Sequence, residues 1–189
     1  VKTQAADKNV FVRVDILEED LDELESMLPI PGKRQASGGN LPVKKDPLIG
    51  KEAPNFESVL LDGSKFKLSE EKGKVVVLDF WATWCGPCVK ALPELIEKTS
   101  QFDKKDVVFI AVNQGESRKM ISTFLKKKKL QGLTVALDKK QNIGRDYEVQ
   151  GIPKTVIIDQ KGIIRHVEVG FAEKTATRIR TEISNLLAE

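Results

Sequence analysis

Residues Val75-Val76-Val77-Leu78-Asp79-Phe80 form an almost unbroken apolar run, and five residues past it stands Cys85-Gly86-Pro87-Cys88. A run of strand length without polar alternation needs both of its faces covered, as in the centre of a sheet packed on both sides. It is too short to cross a bilayer. Val89, Leu92, Leu95 and Ile96 follow at helical spacing, so the first cysteine falls where a helix begins. Unpaired N–H groups and the helix dipole favour a thiolate there. Lowering a thiol pKa from about 8.5 to about 7 raises the thiolate fraction at neutral pH from a few per cent to roughly half. Cys88 lies about one turn further in, placed to attack a mixed disulfide on Cys85 and release a reduced product. Pro87 suits the first turn, where its missing N–H has no helical partner. Two blander readings stand beside this redox one: half of a zinc site, or two inert core thiols. The chain has two cysteines and one histidine, His166, which leaves no room for a zinc cluster or a His-rich site. No metal and no cofactor is expected.

The surrounding pattern alternates strands with helices. Phe56–Leu61 and Lys65–Leu68 flank Asp62-Gly63, a hairpin turn signal. Val107–Val112 reads as a second buried strand and Leu133–Leu137 as a short one. Met120, Ile121, Phe124 and Leu125 mark a helix ending in Lys126-Lys127-Lys128-Lys129, and Asn142–Tyr147 one or two turns. Thr155–Ile158 and Ile163–Val169 are expected to pair across Asp159–Gly162. Ala172, Ala176, Ile179, Ile183 and Leu187 close the chain as a helix. The helix through Val89 is expected to be interrupted at Pro93. The fold class implied is α/β, a mixed sheet with helices on both faces.

The N-terminal quarter differs. Residues 1–30 carry eight acids against three bases, although the whole chain of 189 residues has a net charge of +3. Val12, Val14 and Ile16 fit one face of a strand; Leu17, Leu21, Leu24 and Leu28 fit an acidic amphipathic helix. We read residues 1–28 as an appendage or the tail of an upstream domain, 29–47 as a Pro/Gly-rich linker, and 48–189 as the folded domain. The chain begins with Val rather than Met, which suggests a processed chain or an excised piece. The small net charge argues against a nucleic-acid partner. Lys126–Lys129 reads as a solvated helix end favoured by the dipole.

Residues Leu48–Ala188 resemble a thioredoxin-fold protein. Trp84-Cys85-Gly86-Pro87-Cys88 matches the thioredoxin active-site signature residue for residue. Pro93 stands where thioredoxins kink the active-site helix. Gly151-Ile152-Pro153 matches the segment with the family's cis-proline, and Gly170 the glycine of the last strand. The N-terminal hairpin, the additional strand and helix of Gly115–Leu137, and Ile158–Ile163 after the proline resemble TlpA/ResA-type thiol-disulfide oxidoreductases. The resemblance implies Cys85 as nucleophile, Cys88 as resolving thiol and Asp79 as its proton acceptor. It implies substrate contacts at Trp84, Gly86, Pro87, Ile152, Pro153 and Gly170. It implies reduction of protein disulfides, an upstream thiol-disulfide donor, and tethering outside the bacterial cytoplasmic membrane through a region absent from this chain. Two cysteines without a structural disulfide fit either side of a membrane.

Two departures stand out. Many TlpA/ResA-type proteins carry Glu three residues after the second Cys, where this chain has Ala91. Thioredoxins accompany the buried Asp with a Lys on the next strand, and Val107–Asn113 contains none; a buried Asp without a cation has a raised pKa. Trp81 reads as packing. Two alternatives remain at this stage. A thioredoxin-fold peroxidase is suggested by Thr83, two before Cys85, but residue 79 is Asp rather than Pro and no Arg is near in sequence. A metallochaperone or docking module would use the cysteines without catalysis.

Overall fold

The computed structural model describes residues 46–130 and 132–189. The strand and acidic helix expected in residues 1–28, and all but the end of the linker, lie outside the described residues. The element order is β1 (Glu57–Val59), β2 (Lys65–Lys67), a 3-10 turn (Leu68–Glu71), β3 (Val75–Trp81), α1 (Gly86–Thr99), β4 (Val107–Gln114), α2 (Arg118–Lys128), β5 (Val135–Asp138), α3 (Asn142–Asp146), β6 (Lys154–Ile158), β7 (Ile164–Val169) and α4 (Thr175–Leu187).

Five strands form one sheet in the order β5-β4-β3-β6-β7. β3 runs parallel to β4, and β4 to β5, while β6 and β7 are antiparallel to their neighbours. All seven residues of β3 are buried, as its apolar run requires. Val75, Val77 and Trp81 face α1, α2 and α4; Val76, Leu78 and Phe80 face the hairpin β1–β2 and α3. Helices therefore sit on both faces. The hairpin strands are shorter than expected because Leu68 leaves β2 for the 3-10 turn, Leu60 forms an isolated bridge to Ala136, and Leu61 is taken into the turn at Asp62. There the Asp62 carboxylate accepts from the Ser64 N–H and hydroxyl, and Gly63 has φ +99°.

α1 runs unbroken from Gly86 to Thr99 with Pro93 inside it, a correction to the expected interruption. Pro93 lies on the exposed side, and Cys88, Ala91, Leu92 and Leu95 on the buried side at helical spacing hold the helix to the sheet. Each large apolar side chain removed from water contributes about 1.5–3 kcal/mol. α2 begins at Ser117, whose hydroxyl accepts from the Met120 N–H. It ends at Lys129 in the left-handed conformation, with Lys126–Lys128 against the negative end of the dipole.

The first described residue anchors this domain. Lys154, 3% exposed, places its Nζ 3.1 Å from the Asp46 carboxylate and donates to the carbonyls of Tyr147 (2.9 Å) and Glu148 (3.3 Å). Asp46→Ala leaves that buried ammonium without an anion. Stability is expected to fall by about 2 kcal/mol, less than for a fully enclosed pair because two carbonyls remain. Asp46→Ala combined with Lys154→Met is expected to recover most of the loss; urea unfolding of the singles and the double measures it.

Candidate active site

The site forms where β3 ends and α1 begins. Cys85 has extended backbone angles (φ −83°, ψ 99°) and is the N-cap of α1; its sulfur accepts from the Cys88 N–H at 3.2 Å. A sulfur in that position receives both a direct donor and the positive end of the helix dipole. Cys85 and Cys88 are joined as a disulfide, with their Cα atoms 5.3 Å apart. Pro87 lies in the first turn, as expected. Trp84 is 71% exposed beside the disulfide.

One expectation needs correcting. Cys85 reads as the exposed thiol from its place at a helix start, yet only 5% of it is accessible; Cys88 is fully buried. In the disulfide the Cys85 sulfur lies over the helix start, 3.7 Å from the Ile152 carbonyl oxygen, and Ile152 packs against the same cluster. The accessibility difference has the expected sign but is small in this state.

A second segment reaches the site from β6. The Ile152–Pro153 peptide bond is cis, and the Pro153 carbonyl accepts from the Gly170 N–H at 2.8 Å. Gly170 stands one residue beyond β7 rather than within it, at φ +83°, a conformation that suits glycine. The Ile152 carbonyl thus meets the Cys85 sulfur although 67 residues separate them in the chain, and the adjoining Pro153 is tied to Gly170.

Beneath α1, Asp79 is fully buried on the same sheet face as the helix. Register places Thr155 of β6 on one side of it and Ala111 of β4 on the other. Thr155 donates to Asp79 Oδ1 at 2.8 Å; Oδ2 has no partner among the described residues. Burial pushes the carboxyl up to about 7, and the Thr155 hydrogen bond only partly opposes it. Lys154, next in sequence to Thr155, does not supply a cation here. Strand alternation turns it to the opposite face, opposite Phe80. Trp81 is fully buried core, as read.

Glu116 is a site residue that the sequence reading missed. It is 7% exposed. One carboxylate oxygen accepts from the Thr83 N–H (2.7 Å) and Asn113 Nδ2 (2.7 Å), the other from the Thr83 hydroxyl (2.5 Å). Thr83, the residue behind the peroxidase alternative, is thereby committed to Glu116. The only available signal was positional: Asn113-Gln114-Gly115-Glu116 follows the carboxyl end of a buried parallel strand, where sites of α/β sheets gather. His166 of β7 lies 3.3 Å from Glu168 and pairs in register with Ile157 of β6.

A model of the Redoxin family matches residues 48–186. The thiol-disulfide oxidoreductase ResA of Bacillus cereus is 38% identical over 131 residues, 69% of this chain and 74% of that protein. ResA of Bacillus subtilis is 36% identical over 121 residues, 64% of this chain and 67% of its own length. Among solved structures, the exposed lipoprotein thioredoxin Etrx1 of Streptococcus pneumoniae superposes with a TM-score of 0.61 at 31% identity, over 70% of this chain and all of that one. StoA of Bacillus subtilis superposes with a TM-score of 0.59 at 25% identity, over 70% and 97%.

Proposed function

The chain belongs to the Redoxin family as a ResA-like thiol-disulfide oxidoreductase of thioredoxin fold, and from that premise we propose that it reduces disulfides in protein substrates through Cys85 and Cys88. The observation that carries this reading is the Cys85 sulfur at the N-cap of α1, accepting the Cys88 N–H with the Pro153 segment against it.

The cycle begins with the dithiol. The Cys85 thiolate attacks one sulfur of a substrate disulfide; a mixed disulfide forms and the other substrate sulfur leaves as a thiolate, then takes a proton. Asp79 takes the proton of the Cys88 thiol. The Cys88 thiolate attacks the Cys85 sulfur, the Cys85–Cys88 bond closes and the second substrate sulfur leaves. Two electrons pass to the substrate. An upstream dithiol donor reopens the Cys85–Cys88 bond. Trp84, Gly86 and Pro87 on one side, with Ile152, Pro153 and Gly170 on the other, form the surface that receives the substrate chain.

The reducing direction is supported by the Gly-Pro spacer, which resembles that of reducing thioredoxins, whose potential is about −270 mV. A location on the outer side of a bacterial membrane, with a tether outside this chain, draws on the resemblance to TlpA/ResA-type proteins and on the exposed lipoprotein thioredoxin of Streptococcus pneumoniae. Among the described residues no helix is long and apolar enough to cross a membrane. Residues 1–28 would then be an appendage, and 29–47 a spacer between anchor and catalytic domain.

Catalysed reduction of a disulfide-bonded test protein, with dithiothreitol as electron source, tests the reading. Wild type is expected to turn over repeatedly and Cys85→Ser to give only the uncatalysed rate. Equal rates for the two would remove Cys85 from the chemistry.

A further inference from the structure

We propose that Glu116 is a positioning residue for Cys85 that also opposes its ionisation, holding the dithiol at a more reducing poise than the helix start alone would set. The proposal rests on Cys85 as the nucleophile.

β4 ends beside β3, with Asn113 paired to Trp81. Gly115, at φ +81°, turns the chain so that the Glu116 side chain returns under the loop between β3 and α1. There its carboxylate holds both donors of Thr83. Thr83 and Cys85 are two residues apart, so their Cα atoms stand no more than about 7 Å apart. The three donors to Glu116 are all neutral, and among the described residues it forms no salt bridge. Arg118, the nearest basic residue in sequence, instead donates to the carbonyls of Leu60 and Leu61. A carboxylate buried this way is screened little by solvent.

The other groups around Cys85 do not cancel it. Within α1, Cys88 is the resolving thiol and Lys90 is exposed; on α2, Lys119 is exposed. From β3, Asp79 lies beneath the helix; its carboxyl titrates at about 7, so above that pH it is a second anion acting in the same sense as Glu116. Glu168 of β7 is paired with Arg178 and His166. The segment at Pro153 presents the neutral Ile152 carbonyl. The helix dipole and the Cys88 N–H therefore favour the thiolate, and Glu116 is the fixed charge of opposite effect.

Glu116→Gln separates charge from scaffold. The amide oxygen can accept from the Thr83 N–H and Asn113, and the amide NH2 can donate to the Thr83 hydroxyl, which rotates to accept. Iodoacetamide alkylation of Cys85 is followed against pH in the reduced protein. In Glu116→Gln the midpoint is expected to fall by about one pH unit. A fall of one pH unit raises the thiolate fraction, and with it the alkylation rate, about tenfold at pH values well below the midpoint. At a fixed glutathione ratio the pair should also shift toward the dithiol. An unmoved midpoint in folded Glu116→Gln overturns the proposal. So does a uniform slowing at every pH, which would make Glu116 purely structural. If Glu116→Gln does not fold, 13C-carboxyl NMR of the wild type decides. Glu116 must be ionised where Cys85 titrates; a proton still held at pH 8 overturns the proposal. Cys85→Ser is run beside these: if it alkylates as wild type does, the nucleophile assignment itself is wrong and this proposal falls with it.

Discussion

Reduced Cys88→Ser protein is expected to accumulate a mixed disulfide with a disulfide-bonded substrate, and Cys85→Ser to accumulate at least tenfold less. The thiolate is the attacking species, so the comparison reads where the thiolate forms. Cys85 caps α1 and its sulfur receives the Cys88 N–H, whereas Cys88 sits inside the first turn, fully buried against Leu92 and Trp81 in the same apolar cluster. Burial in apolar surroundings raises a thiol pKa and blocks an incoming protein. With Cys88 replaced, attack by Cys85 still occurs but nothing resolves the adduct. Non-reducing gels with mass spectrometry of the trapped species provide the measurement. Equal trapping by both variants would reverse the assigned roles. No trapping by either, with no turnover by wild type, would return the cysteines to the docking-module alternative.

Asp79→Asn is expected to make the protein more stable above pH 7 while slowing resolution of the mixed disulfide by about 100-fold, the range in which a positioned proton acceptor acts. The unfolded carboxyl titrates at about 3.8 and the folded one at about 7. Between those values the native state holds a proton that the unfolded state has lost, so stability falls as pH rises through the window. Below it both states are protonated and no penalty exists; above it the full penalty, about 4 kcal/mol, is present. Asparagine removes that penalty but leaves its amide nitrogen where Oδ2 finds no partner among the described residues, which costs about 1–3 kcal/mol. The net is a gain of about 2 kcal/mol at pH 8 and a loss of about 2 kcal/mol at pH 4, where only the cost of the amide remains, measured by urea unfolding at both. Stopped-flow resolution rates equal to wild type across pH would assign Asp79 to structure alone.

The elements around the cysteines were legible because their signals are local. Val75–Phe80 announced a doubly buried strand, and it forms β3, continuing to Trp81. Val89, Leu92 and Leu95 announced a helix, and α1 covers them without a break. Pro93 was misread because an exposed proline one or two turns into a helix removes one hydrogen bond that solvent can replace, while the buried face continues unaltered. Leu68 was misread because its apolar side chain is equally buried in a 3-10 turn and in a strand.

By itself the sequence determined the fold class, the Cys85–Cys88 pair at a helix start and the Pro153 segment that would meet it, since each rests on residues adjacent in the chain or matched to a known motif. Only the tertiary structure decided that Asp79 faces Thr155 rather than Lys154. That choice is one residue of strand register, and a one-residue slip exchanges the two faces of the sheet. It likewise decided that Glu116 reaches Thr83 across 33 residues. Parallel pairing of β3 with β4 brings the two strand ends together, and a hydrogen bond made across that junction has no periodicity in the chain by which it could be read.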